Sequence, residues 1–148
     1  MKIENTIKVI KEVHPDRVVM CKIGPFMHCY GRDAVIMSYL FDYSLKKIDN
    51  NYDCGFPNGA LNKIMGTLEG KKISYMVVNR ADNFAVENEE DLKENNQYQE
   101  IYSKAHKYVS QKNRINEIYN YLIENIGTNN IKGKISQIEE ILYEEWEI

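Results

Sequence analysis

The sequence predicts a mixed α/β or α+β fold, with a small mixed β-sheet and flanking helices followed by a C-terminal helical hairpin. Short apolar runs bounded by glycine and proline alternate with segments whose apolar residues recur every three or four positions. From residue 98 onward the helical repeat continues without any strand-like run. We therefore expect a first domain over residues 1–84, a polar linker over 85–97 and a helical arm over 98–148.

The first domain is expected to begin with a helix and a strand. Residues 2–13 form an amphipathic helix whose apolar side chains share one face: Ile3, Ile7, Ile10 and Val13. Arg17–Gly24 is a short apolar run that predicts a buried strand. The strand stops at Gly24-Pro25, because proline cannot continue a sheet ladder. Phe26 then lies at a strand end, and Cys29 and Tyr30 lie in a second strand or turn.

A second helix is predicted to open at Gly31 and to continue to Phe41, with Asp33 as its N-cap. The remaining elements of the first domain follow in chain order: a short strand at Ser44–Lys47, a surface loop at Asp49–Asp53, a helix from Pro57 and a closing β-branched strand at Ile73–Val78. Strands that alternate with helices in this way predict one mixed sheet covered by helices.

The arm is predicted to be a helical hairpin. Apolar residues follow alternating three- and four-residue steps from Tyr98 to Ile126, with Lys112 as a polar exception. Gly127 ends this helix, and a last helix carries an apolar stripe that reaches Trp146. Two alternatives stay open: the helix breaks at residues 110–114 or continues, and the hairpin packs on itself, on the first domain or on a second copy.

The charge distribution assigns any contact with nucleic acid to the first half of the chain. The net charge is −3. Residues 1–84 hold twelve Lys and Arg against nine Asp and Glu, whereas residues 85–148 hold seven against thirteen. A net charge of +3 in the first half is compatible with phosphate contacts, and a net charge of −6 in the second half would repel a duplex.

Composition also indicates a cytoplasmic protein. The first thirteen residues carry Glu4 and Glu12 at helical spacing and do not resemble a signal peptide. No apolar run approaches the roughly 20 residues that span a bilayer, so we expect no membrane partner. The three cysteines include no Cys-x-x-Cys pair, which favours reduced thiols.

The sequence does not predict an enzyme, a metal or a cofactor. Two stretches approach a phosphate-binding loop, but residues 127–135 have one residue too many between the glycines and residues 66–72 have one too few. The three histidines are dispersed along the chain and show no metal-ligand spacing. We expect no catalytic residues.

Three ordered stretches resemble the N-terminal domain, domain I, of MutS mismatch-repair proteins. RVVMCKIGPFMHCYGRDA, at 17–34, resembles the strand, the Gly-x-Phe-x-Glu turn and the helix start of that domain. FDYSLKK, at 41–47, resembles its Leu-x-Ile-x-Leu-Thr-Lys segment. CGFPNGALNKIMGTLEGKKISYMVV, at 54–78, resembles its Ala-Gly-Ile-Pro-x-His-Ala helix and closing strand. The resemblance covers residues 8–80, about half of the chain.

This resemblance implies a role for Phe26. In MutS proteins the phenylalanine wedges into the base stack beside a mispaired base from the minor groove, and the glutamate two positions later hydrogen-bonds that base. In this chain His28 replaces the glutamate and Pro25 replaces the usual aspartate. The candidate contacts to the DNA backbone are Lys22, Arg32, Lys46 and Lys47.

Two functions follow as expectations. The favoured one is a stand-alone, non-catalytic DNA-binding module that senses mismatched or distorted duplex through Phe26. The alternative is a protein–protein assembly module of a repair or mobile-element system, which has lost mismatch recognition. In either case the arm, residues 98–148, is expected to bind a second copy or a partner protein.

Overall fold

The computed structural model describes residues 3–144 and confirms the mixed sheet with flanking helices followed by a helical pair. Six strands form one sheet in the order β3-β4-β2-β1-β5-β6. In chain order the helices and strands are α1 (Ile3–Val13), β1 (Val18–Ile23), β2 (Phe26–Tyr30), α2 (Arg32–Phe41), β3 (Leu45–Ile48), β4 (Asn51–Pro57), α3 (Leu61–Gly70), β5 (Tyr75–Asn79), β6 (Ala85–Glu90), α4 (Tyr98–Glu124) and α5 (Ile131–Glu144). The predicted helix start at Lys2 and the predicted stripe residue Trp146 lie outside the described residues.

The two faces of the sheet carry two hydrophobic clusters. β1 and β5 pair in parallel at the centre, and every other neighbouring pair is antiparallel. The larger cluster lies between the sheet and α2, α3 and α4. The smaller one joins Ile7 of α1 to β1 and β5, through Val19, Cys21, Met76 and Val78. Successive side chains of a strand point to opposite faces, so each central strand contributes to both clusters.

The predicted surface loop at Asp49–Asp53 is wrong, because most of it belongs to β4. Only Asp49 and Asn50 separate β3 from β4, and Ile48 pairs with Asn51. Both connecting residues have positive φ, 48° and 64°. A two-residue hairpin turn of this kind requires positive φ at both positions, which asparagine and aspartate tolerate better than most residues. The polar residues of β4 remain partly exposed, which explains why the sequence is typical of a loop.

The predicted linker at 85–97 is also wrong in its first half. Ala85–Glu90 forms β6, an edge strand that pairs antiparallel with β5. Most of its side chains are exposed, and charged side chains on an edge strand prevent pairing with other chains. Arg17 holds the end of this segment through Glu89 at 3.2 Å and Asp91 at 2.8 Å. The composition of a charged edge strand therefore resembles that of a linker.

The largest difference from the prediction is the domain boundary, which lies within α4. The chain divides into two compact units after Val109, and not at residue 84. Tyr98 is 0% exposed and joins the larger cluster together with Ala105 and Val109. Residues 98–109 of the predicted arm therefore complete the core of the first domain. The helix continues to Glu124, without the alternative break at 110–114.

A buried carboxylate links four elements of the first unit. The helix α2 is preceded by Gly31, so Asp33 lies inside the first turn and is not the N-cap that we expected. Asp33 is 1% exposed and accepts hydrogen bonds from Tyr98 Oη at 2.5 Å, Lys11 Nζ at 3.0 Å and the Val19 amide at 3.1 Å. Burial raises the pKa of the Asp33 carboxyl, and the Lys11 ammonium opposes this shift. The three donors connect α1, β1 and α4 to α2.

The second unit contains the end of α4 and the whole of α5. The two helices are joined across a turn in which Gly127 has a φ of 84°, a value that favours glycine. Among residues 3–144, no helix is long and apolar enough to cross a membrane.

Candidate nucleic-acid interface

Phe26 lies at the tip of the tight hairpin between β1 and β2. Ile23 pairs with Phe26, so the connection consists of Gly24 and Pro25 alone. Gly24 has a φ of 60°, which the first central position of this turn requires and which glycine adopts without steric cost. The ring of Pro25 fixes φ at the second position. The backbone that carries Phe26 is therefore stiff.

The phenyl ring of Phe26 projects from this tip into solvent. Phe26 is the first residue of β2, pairs with Pro57 of β4 and is 50% exposed. The next residue, Met27, is fully buried on the other face of the strand. The expectation that Phe26 is accessible at a strand end is confirmed. An exposed aromatic ring on a rigid scaffold can enter an apolar or stacked partner surface at a low entropic cost.

Asn58, the residue after β4, holds the hairpin tip, a role that the sequence did not reveal. Its amide nitrogen donates to the carbonyl of Pro25 at 3.1 Å, and its Nδ2 donates to the carbonyl of Gly24 at 2.9 Å. Both carbonyls of the turn are thereby fixed from the end of β4. The only local signal is the Pro57-Asn58-Gly59 sequence, which favours a turn, and its contact with residues 24 and 25 requires the register of β2 and β4.

His28 and Tyr30 lie on the same face of β2 as Phe26, because side chains two residues apart share a face. His28 Nδ1 lies 2.9 Å from the Asp53 carboxylate of β4. Gly55 pairs with His28, and a Cβ built there would lie 3.4 Å from the imidazole. The missing side chain at position 55 makes room for the ring. Asp53 and Gly55 were not candidates from the sequence, where position 53 belongs to a supposed loop.

This face of the sheet is only partly covered. The buried cluster under α1 includes side chains of α1, β1 and β5, and none from β3 or β4. The surface formed by Phe26, His28, Asp53 and Lys46 therefore continues from the hairpin tip toward the β3 edge; we call it the open face.

The candidate basic residues do not converge on the open face. Lys46 pairs with Asp53, and cross-strand partners share a face, so Lys46 belongs to the open face. Lys47 alternates with Lys46 and lies on the opposite face. Lys22 pairs with the buried Met27 and also lies on the opposite face. Of the four candidate cations, strand geometry places Lys46 on the open face that contains Phe26.

Arg32 is held within the first unit. Its guanidinium lies 4.5 Å from the Tyr102 ring centroid and 5.4 Å from that of Tyr98, and it donates to Gln99 Oε1 at 2.9 Å. Cation–π contacts and a hydrogen bond to α4 occupy this side chain. The structure therefore assigns Arg32 to the packing of α4, which the sequence did not predict.

The first unit has no excess of positive charge. Residues 1–84 hold twelve basic and nine acidic residues, and residues 85–109 hold three basic and six acidic residues. The excess predicted for residues 1–84 disappears because β6 and the start of α4 belong to the same unit. A net charge near zero gives this unit little long-range attraction for a polyanion.

Comparison with known proteins agrees with the fold. The family model described as MutS domain I matches residues 3–83. The DNA mismatch repair protein MutS of Prochlorococcus marinus is 28% identical over 87 residues, which is 55% of this chain. The match covers 9% of that protein, so the chain corresponds to a small part of its curated relative. The family match spans more than half of the sequence, and we conclude that the chain belongs to the MutS domain I family.

Proposed function

We propose that the chain is a non-catalytic, stand-alone DNA-binding module that senses mismatched or distorted duplex by inserting Phe26 between base pairs. The observation that carries this proposal is the half-exposed Phe26 ring at the tip of a two-residue hairpin. The similarity to a DNA mismatch repair protein supports DNA as the ligand. No reaction step is part of the proposal.

The preference for distorted duplex follows from the cost of unstacking. Insertion of an apolar side chain requires about a few kcal/mol per base step, and the cost is lower where pairing is already poor. The turn is fixed by Asn58, so little conformational entropy is lost when Phe26 inserts. A rigid wedge with few phosphate contacts binds weakly to a perfect duplex and better to a mismatch or bulge.

His28 would contact the base next to the wedge. Asp53 engages His28 Nδ1, which leaves Nε2 as the ring atom that can meet a base edge. An imidazole nitrogen can donate or accept a hydrogen bond, depending on its protonation. The proposed contact is therefore less selective than that of a carboxylate, which only accepts when ionised.

Fluorescence anisotropy of labelled duplexes tests the proposal. We expect the full chain to bind a single-base bulge or mismatch more tightly than a perfect duplex, by about tenfold or roughly 1.4 kcal/mol. We expect a slope of log K against log salt of about −1 to −3, which corresponds to a few phosphate contacts. Equal affinity for all duplexes, or no binding at low salt, would contradict the proposal.

Asn58→Ala should weaken binding to the bulged duplex by about three- to tenfold, because the hairpin tip loses a side-chain hydrogen bond of roughly 0.5–1.5 kcal/mol and becomes less well ordered. Asn62→Ala, an exposed position on α3, is the matched control and should bind like the wild type. Anisotropy gives both affinities. Binding by the Asn58→Ala variant as tight as that of the wild type would show that the Asn58 side chain does not position Phe26.

The second candidate function is a protein–protein assembly module. The balanced charge of the first unit and the engagement of Arg32 by α4 favour it, because both reduce the capacity to bind phosphates. In this case the chain would bind none of the duplexes in the anisotropy measurement, and a substitution of Phe26 would have no effect on a nucleic acid.

A further inference from the structure

The second unit exposes a large share of the chain's apolar surface. We call residues 110–144, the end of α4 together with α5, the hairpin unit. Ten of the sixteen large apolar side chains that are exposed among the described residues belong to it. Ile131 is its only described side chain that is buried. Two helices that bury so little have little stability of their own, because helices in proteins are stabilised mainly by packing of their apolar faces.

Apolar residues form stripes along both helices of the hairpin unit. Spacings of three and four residues place the members of each set on one side of a helix: Ile115, Tyr119, Leu122 and Ile126 on α4, and Ile131, Ile135, Ile138 and Leu142 on α5. Ile115, Ile126 and Leu142 remain 65%, 70% and 55% exposed. Each stripe is thus only partly covered by the other helix. Helices in a bundle have such wide stripes because each one contacts two neighbours.

A second apolar set borders the groove between the two helices. Ile118 of α4 and Ile141 of α5 line this groove and are both exposed. Lys134 donates a hydrogen bond to the Tyr121 hydroxyl and lies 4.5 Å from the centroid of that ring. The groove is therefore closed at one point by a polar contact and is open to apolar side chains elsewhere.

In both helices of the hairpin unit, basic residues come first along the chain and acidic residues follow. Within the hairpin unit, α4 carries Lys112 and Arg114 before Glu117 and Glu124, and α5 carries Lys132 and Lys134 before Glu139, Glu140 and Glu144. In α5 this order is unfavourable on its own, because the helix dipole favours acidic residues in the first turn and basic residues in the last. Antiparallel neighbours bring the basic start of one helix beside the acidic end of the next. Parallel neighbours would place like charges together.

We propose that the hairpin unit associates with the hairpin unit of a second copy, so that four helices form an antiparallel bundle with two-fold symmetry. A second copy supplies the same apolar stripes and the same order of charge, and a two-fold interface requires such self-complementarity. Burial of the exposed isoleucine and leucine side chains is the driving force, at about 25 cal/mol per Å². The proposal does not depend on DNA binding, which involves the other unit.

The mass of the full chain in solution tests this proposal. We expect sedimentation or light scattering to show a dimer at about 10–100 µM that dissociates on dilution. Ile115→Asp combined with Leu142→Asp should weaken the dimer by at least about 100-fold, since carboxylates would be buried without partners. Val13→Asp, an exposed apolar position on α1, is the control and should remain dimeric. Circular dichroism on each variant shows whether the helices persist.

A second variant tests the antiparallel order without changing the apolar stripes. Lys112→Glu combined with Arg114→Glu makes both ends of this part of α4 acidic and should weaken the dimer at low salt. The effect should decrease toward 0.5–1 M salt, where the screening length falls to roughly 3–4 Å. A wild-type monomer at every concentration would overturn the proposal, as would a dimer that survives the two aspartates. Tighter association of the Lys112→Glu, Arg114→Glu variant would contradict the antiparallel order.

Discussion

A chain that ends at Phe84 is expected to be unfolded, whereas a chain that ends at Lys112 should retain the fold of the first unit. The shorter chain lacks the edge strand β6 and the side chains of Tyr98, Ala105 and Val109, all buried in the larger cluster. Loss of a large buried aromatic alone costs about 3–5 kcal/mol. The whole stability of a domain is typically about 5–15 kcal/mol, so the combined loss exceeds what the remaining core can supply.

Urea unfolding followed by circular dichroism distinguishes the two chains. A third chain that ends at Gln97 retains β6 and lacks α4, so its comparison with the chain ending at Lys112 tests the contribution of α4 alone. We expect it to lack a cooperative transition, because Tyr98 is missing. A cooperative transition for the chain ending at Phe84, with the same midpoint as the chain ending at Lys112, would show that α4 is not part of the core.

Tyr98→Ala should destabilise the first unit by about 3–5 kcal/mol, as large-to-small substitutions of buried aromatics do. The side chain is fully buried, and its hydroxyl donates to Asp33 at 2.5 Å. Tyr98→Phe retains the ring but removes this donor, and should cost about 1–3 kcal/mol because the buried Asp33 carboxylate keeps fewer partners. Chemical denaturation measures both free energies of unfolding.

Phe26→Ala is the matched control for this comparison. It removes an aromatic side chain of similar size, but the ring is half exposed, and surface substitutions usually change stability by about 0.5 kcal/mol or less. A loss of several kcal/mol in this variant would make Phe26 a core residue. A Tyr98→Ala variant as stable as the Phe26→Ala variant would contradict the burial of Tyr98.

The sequence predicted those features that depend on local chemistry. The strand that stops at Gly24-Pro25, the exposed position of Phe26 and the helical pair at the C-terminus follow from turn residues and apolar periodicity. The turn after β1 could be placed because glycine adopts the positive φ that tight turns need and proline fixes φ and cannot continue a sheet ladder. The same local reasoning did not distinguish β4 or β6 from loops. Polar side chains alternate with apolar ones along β4, and they occupy most positions of the edge strand β6.

Features that depend on contacts between distant residues could not be predicted. Tyr98 appears in the sequence as the first residue of a heptad repeat, and it becomes buried because α4 packs in the larger cluster of the first unit. Asp33 has the sequence context of an N-cap, but Lys11 and Tyr98, 22 and 65 residues away, determine its role. The Asn58 clamp and the His28–Asp53 contact likewise depend on the register of β2 and β4. These pairings are set by tertiary packing, which overrides local preference.

The central claim is that Phe26 inserts into the duplex, and energy transfer between dyes at the two ends of a mismatched duplex tests it most directly. Insertion of a wedge kinks DNA by about 20–90°, so bound wild-type protein should raise the transfer efficiency. The Phe26→Ala variant, added until anisotropy shows the same fraction of duplex bound, should leave the efficiency at the value of free duplex. An equal increase with Phe26→Ala, or no increase with wild-type protein at full occupancy, would contradict the account.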